Sequence, residues 1–222
     1  MRRKHRRDGF VLAFAVGLIG VTYGVFANTA GIGFLQTVVL SALTFTGASQ
    51  FAYVSVIDGG GNPVAAMGTA LLLSARNALY GPMVEPVLRK DPVPRAVIAH
   101  FVIDETTAMA TSCEEVQDGR DAFWFTGVWL FIFWNIGTVL GVLTGEALEN
   151  PGAWGLDAAF PAAFVALLVP HVRDTASRIT ALTGAVIALI AIPTTPSGFP
   201  LLLAALAVGP GLLIRIYRGG EE

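Results

Sequence analysis

PVAAMGTALLLSARNALYGPM, residues 63–83, is an apolar run with one charge in it, Arg76. AVIAHFVIDETTAMATSC, residues 96–113, carries Asp104 and Glu105 in a similar setting. A charge at bilayer depth costs roughly 2.5–3.5 kcal/mol on insertion scales, so such side chains are rare and mark function. These two stretches decide the reading: helices around a polar interior through which something moves.

The rest of the chain agrees. Of 222 residues, 54% are hydrophobic and 14% charged, against about 25% charged in soluble domains. The apolar residues come in blocks, and a span needs about 20 of them. Eight segments stand out, at about 10–27, 33–56, 63–83, 96–113, 122–145, 158–170, 179–193 and 199–216, with polar or Gly/Pro-rich connections. In lipid each backbone group has to be paired within its own segment, which selects helices, and the alternation of a membrane barrel is absent. The expectation is an all-α integral membrane protein with about 6–8 transmembrane helices, forming a single polytopic transport domain over residues 1–222.

Arg2, Arg3, Lys4, Arg6 and Arg7 crowd the N-terminus. They argue for a cytoplasmic N-terminus and not for nucleic-acid binding, since no basic face accompanies them. The run that follows is read as an uncleaved first span, being long for a signal core. Arg outnumbers Lys, which hints at a prokaryotic source and hence a prokaryotic cytoplasmic membrane. The lone Cys113 excludes an internal disulfide and a cysteine-rich metal site. No phosphate-binding loop, metal-ligand cluster or Ser-His-Asp set is present, so no cofactor, metal or enzymatic activity is expected.

Charge asymmetry leaves two topologies. With eight crossings, Arg89, Lys90 and Arg95 fall outside, against the positive-inside rule. With 33–56 and 96–113 as re-entrant or broken elements, every loop Lys and Arg lies in the cytoplasm. Those two segments also have the most polar centres, and irregular backbone at membrane depth is tolerated where it lines a cavity.

Three constellations could carry chemistry. On a continuous helix, Thr46, Ser49, Gln50 and Tyr53 form one polar stripe at i, i+3, i+4 and i+7. Gly47 and Ala48 beside it permit an unwound turn, where free N–H groups of a half-helix meet a substrate carboxylate. The alternative is that these polar residues glue helices together. In the second, Arg76, Asn77 and Tyr80 precede the helix-breaking Gly81-Pro82. Arg76 binds a carboxylate through its planar fork, pairs with Asp104 or Glu105, or snorkels to the membrane interface. In the third, Asp104 shares a helical stripe with His100, Thr107 and Thr111 and is the better cavity group. Glu105, about 100° away, is the better partner for Arg76. Gly20 and Gly24, and Gly137, Gly141 and Gly145, repeat every four residues and read as close helix packing.

In their order and spacing these motifs resemble the AzlC family of branched-chain amino acid permeases. The resemblance rests on Gly47-Ala48-Ser49-Gln50-Phe51, on residues 74–81 around Arg76, and on Ile103-Asp104-Glu105. The runs at 160–170 and from Gly198 also fit. The family's usual Asn is Ser74 here, and its usual His is Asn77. The resemblance implies export of branched-chain or similar small amino acids and an AzlD-like small membrane subunit as partner. Thr46, Gly47, Ser49, Gln50, Tyr53, Asn77 and Tyr80 are then the expected substrate-binding residues, and Arg76, Asp104 and Glu105 the coupling or gating groups, with protons as a possible coupling ion. The competing readings are a channel-like or structural membrane subunit, and a transporter of another small zwitterion.

Overall fold

The computed structural model describes residues 2–147, 174–195 and 199–219, together with positions 165, 168, 169 and 172. The segment expected at 158–170 lies largely outside the described residues. Among the described residues all regular structure is helical.

Two long unbroken helices form the spine: α1 (Arg2–Thr29) and, last in the first two thirds of the chain, α8 (Val116–Ala147). Lys4–Thr29 and Val116–Ala147 are long and apolar enough to cross a membrane. They lie side by side and parallel. At one end, Arg6 Nε donates to Asp121 at 2.7 Å, and His5 Nε2 lies 3.0 Å from the same carboxylate. At the other end Asn28 rests on Gly145. Between them the glycine repeats bring backbone onto backbone. A Cβ on Gly20 would stand 2.7 Å from the Trp134 carbonyl oxygen, and one on Gly141 would stand 2.9 Å from the Gly24 Cα. Without water to expel, such contact between small residues is what drives helix association in lipid.

The other segments of the first 147 residues are interrupted. Residues 33–56 form α2 (Phe34–Leu43) and α3 (Ala48–Asp58). The break falls where Gly47 takes φ +60°, a left-handed value that penalises any side chain. Residues 63–83 form α4 (Pro63–Ser74), a 3₁₀ turn (Ala75–Leu79) and the start of α5 (Gly81–Leu88). Asn62 caps α4 by accepting from the Ala65 N–H at 2.9 Å, with Pro63 at the first helical position. Residues 96–113 form α6 (Arg95–His100) and α7 (Asp104–Thr111). Buried Thr106 holds this third break: its hydroxyl accepts from the Ile103 N–H at 3.1 Å and donates to the Phe101 carbonyl at 2.6 Å.

Contacts along α8 give the depth of each piece. The Ser41 hydroxyl meets that of Thr138 at 3.1 Å, Phe45 packs on Phe131 with ring centroids 5.1 Å apart, and Phe51 returns to Trp134 and Tyr23. The α2–α3 pair therefore enters from the Gly145 end, turns near the middle of α8 and goes back. From the opposite end, the Trp124 indole N–H donates to Asp91 at 2.8 Å, and Arg120 lies 3.4 Å from the same carboxylate. Phe101 then reaches Phe131, Thr106 lies against Gly127, and the Ala110 carbonyl lies against Gly119. The α6–α7 pair thus rises to mid-depth and returns. Both pairs are re-entrant, and helices of about ten residues span only ~15 Å, half the hydrocarbon core.

Of the two topologies the re-entrant one is found. Eight crossings would separate the 85–95 loop from the start of α8, yet Asp91 is bound to Arg120 and Trp124, and the N-terminal residues meet Asp121 beside them. After the undescribed stretch come α9 (Thr175–Ala191), α10 (Phe199–Ala204), a 3₁₀ turn (Ala205–Ala207) and α11 (Val208–Gly219). They pack on one another and meet the rest where α10 touches α4.

Candidate functional site

The two hairpin tips meet at mid-depth and enclose a cavity of about 50 Å³, room for a few water molecules. One wall is charged and polar: Thr46, Gly47 and Ala48 from the first tip, Asp104 and Glu105 from the second, and Arg76 from the 3₁₀ turn. The opposite wall is apolar: Val16 and Ile19 of α1, Leu130 and Trp134 of α8, closed by Phe45 and Ile103.

The breaks produce this arrangement. Starting α3 at Ala48 leaves its first N–H groups without intrahelical partners. The turn is held by the Gly47 carbonyl, which accepts from the N–H groups of Gln50 at 3.0 Å and Phe51 at 3.2 Å, and by a hydrogen bond between the Thr46 and Ser49 hydroxyls. Starting α7 at Asp104 places two carboxyls in its first turn, where the helix dipole favours negative charge. Arg76 Nη1 lies 3.0 Å from Asp104 Oδ2. Asp104 Oδ1 and Arg76 Nε, both buried, have no hydrogen-bond partner. The pair is therefore engaged on one side and has spare donors and acceptors on the other, beside a second carboxyl. The set can hold a group bearing both signs of charge.

Beyond the first tip lies a second cavity of about 280 Å³. Phe45 and Thr46 belong to both cavities, while Ser49, Ser74, Asn77 and His100 line only this one.

The structure brings together Thr46, Gly47, Arg76, Asp104 and Glu105 at the first cavity, and Thr46, Ser49 and Asn77 at the second. Gln50, Tyr53 and Tyr80 line neither. Gln50 is fully buried and donates its amide N–H to the Ser41 carbonyl at 2.9 Å, tying α3 to α2. Tyr53 packs beside the core around Tyr23 and Phe51, while Tyr80 packs on the cluster of Val84, Leu88, Val102, Ala110 and Phe123 with its hydroxyl hydrogen-bonded to Asp104. The continuous polar stripe from Thr46 to Tyr53 is corrected: the left-handed Gly47 ends the helix, so Thr46 leaves the face that Ser49 and Gln50 define. The His100–Asp104 stripe is interrupted in the same way at residues 101–103. The carboxylate that meets Arg76 is Asp104, with Glu105 alongside, because Asp104 opens α7 instead of sitting inside one longer helix.

Sequence reasoning missed Phe45 and Trp134. Trp134 is 3% exposed at the middle of a span, and its indole N–H has no partner. A tryptophan so far from either membrane surface departs from the interfacial preference, and that was the available signal. Phe45 carried no signal beyond its place next to Thr46-Gly47.

Comparison with known proteins accords with this architecture. The chain is 24% identical to the branched-chain amino acid transport protein AzlC of Bacillus subtilis, over 86% of this chain and 76% of that one. It is 28% identical to the inner membrane protein YgaZ of Escherichia coli, over 84% and 81% respectively. A membrane protein of Archaeoglobus fulgidus is also 28% identical, over 82% and 83%. No solved structure matches the chain. Residues 11–148, which hold both hairpins, Arg76 and the spine, match the AzlC protein family, and this membrane protein belongs to that family.

Proposed function

We propose that the protein is a secondary exporter of branched-chain or similar small amino acids, working as one polytopic domain in a prokaryotic cytoplasmic membrane with its N-terminus inside. One observation carries the reading: the mid-depth cavity sets a charged wall against an apolar wall. A zwitterion with a hydrocarbon side chain needs that division. Its carboxylate would lie on Arg76 and the free N–H groups at the start of α3, as in other discontinuous helices. Its ammonium would lie on Asp104 and Glu105, and its side chain on Val16, Ile19 and Leu130. Gln50, Tyr53 and Tyr80 would support the tips from behind. Asp104, the carboxyl shared between Arg76 and substrate, is the proposed coupling group, with protons as the coupling ion. The relative named for branched-chain amino acid transport supports the substrate class. A small AzlD-like subunit is proposed as partner.

The test is efflux of labelled leucine, isoleucine, valine, alanine and methionine from vesicles containing this chain, with and without the small subunit. Efflux that drives proton movement is expected, and Asp104→Asn should stop it with the protein still in the membrane. Unchanged efflux in Asp104→Asn removes that carboxyl from coupling. No efflux of any of the five overturns the substrate class.

A further inference from the structure

The cavity between the charged and apolar walls is too small for a leucine as it stands, so something closes it. The second cavity lies across the Thr44–Gly47 turn and is several times larger, about 280 Å³ against about 50 Å³. It is an open groove of mixed lining, with Ser49, Ser74, Asn77 and His100 on its polar side and Leu43, Met67 and Leu71 on its apolar side, a division that suits a zwitterion with a hydrocarbon side chain. Phe45 is the only bulky side chain common to both cavities among those described. It is 2% exposed and sits on backbone with no helical hydrogen bonding to hold it, in the stretch between α2 and α3. Its ring meets those of His100 at 5.9 Å, Phe101 at 5.8 Å and Phe131 at 5.1 Å. Those contacts join the tip of one hairpin to the tip of the other.

The geometry points to Phe45 as the gate between two halves of a single aqueous route. The Ser49–Asn77–His100 cavity is then a second halt for the same zwitterion. This rests on the transport reading. Moving the Phe45 ring off His100 and Phe101 joins the cavities through a shift of the unwound turn, which is held by a few local hydrogen bonds, whereas α1 and α8 are packed backbone to backbone along their length. The ring blocks passage by bulk, so its size matters more than its chemistry.

The test uses the full chain with Cys113→Ser, carrying either Ser74→Cys, which lines the second cavity, or Ala48→Cys, which lines the first. A membrane-impermeant thiol reagent applied to each face should modify Ser74→Cys from one face and leave Ala48→Cys protected from that face. Adding Phe45→Ala should raise the Ala48→Cys rate from that face at least tenfold, and Phe45→Trp should not. Phe45→Leu, which keeps more of the packing should Phe45→Ala not fold, should give an intermediate rate. Equal Ala48→Cys rates with Phe, Leu and Ala at position 45, or a Ser74→Cys that no face can reach, overturn the gate. Leucine efflux, measured in the same vesicles, reports on the transport reading separately. A chain that shows the labelling pattern but moves no leucine keeps the gate and loses the substrate.

Discussion

The α1–α8 spine and the two hairpins cross the same membrane depth by opposite means. The spine satisfies every backbone group within two long helices and gains its contacts from glycines that admit the neighbouring main chain. The hairpins leave helix ends in mid-membrane and place hydroxyls and charges around them. Unpaired backbone is costly in lipid, and it persists here only because the spine shields one side. The contrast separates a closely packed part from a part whose breaks expose polar groups at mid-depth.

The largest effect is expected where the spine is wedged apart. A Cβ on Gly24 would stand 2.8 Å from the Val142 nitrogen and 2.9 Å from the Gly141 Cα, and both are backbone that cannot step aside. Gly24→Leu should cost more than the ~1–3 kcal/mol of ordinary overpacking and remove most assembled protein from the membrane, as read by size-exclusion chromatography in mild detergent. Survival of a normal, transport-competent peak would mean that the spine does not depend on its close packing.

Next come the charges at the tips. Arg76→Ala should leave the protein assembled but weaken amino acid binding. Losing one member of a buried pair costs several kcal/mol, and with Arg76 34% exposed we discount this to about 1.4 kcal/mol, a tenfold loss. The exchanged pair Arg76→Asp with Asp104→Arg should keep the protein assembled without recovering transport, because the positive group then sits at the N-terminus of α7. Full recovery would reduce the pair to a brace. Gly47→Ala should cost about 1–3 kcal/mol in thermal stability, since its φ of +60° is the obstacle and the nearest atom to an added Cβ, Trp134 Cη2, is at an ordinary 3.6 Å. The smallest effect belongs to Arg89→Ala: its exposed pair with Glu85, at 2.6 Å, is screened by solvent, so melting temperature and efflux should both stay unchanged.

Much of this division was legible in the sequence. The glycine spacing in residues 10–27 and 122–145 marked close helix packing, and the basic loops raised re-entrant segments as one of two topologies without deciding between them. The polar centres of 33–56 and 96–113 marked where the helices stop. The identity of the Arg76 partner was not legible. Adjacent carboxyls point about 100° apart on any helix, so which one faces Arg76 depends on where α7 begins, and that is fixed by Thr106 bridging Phe101 and Ile103. Gln50 looked like a substrate ligand because its amide is equally suited to a carbonyl of its own chain. Phe45 and Trp134 were hidden for a different reason: an apolar residue in an apolar segment looks the same whether it faces lipid or closes a cavity.

The hairpins enter from opposite surfaces, and α3 and α7 each begin at the tip and run back toward their own side. Their dipoles therefore oppose along the membrane normal while both present positive ends to the centre. A carboxylate arriving from the cytoplasm and one arriving from outside meet the same field. Such a centre, as a binding site, would not rectify. Under the transport proposed above, the sense of net flow would have to be imposed by gradients across the membrane, and reversing those gradients should reverse the flow.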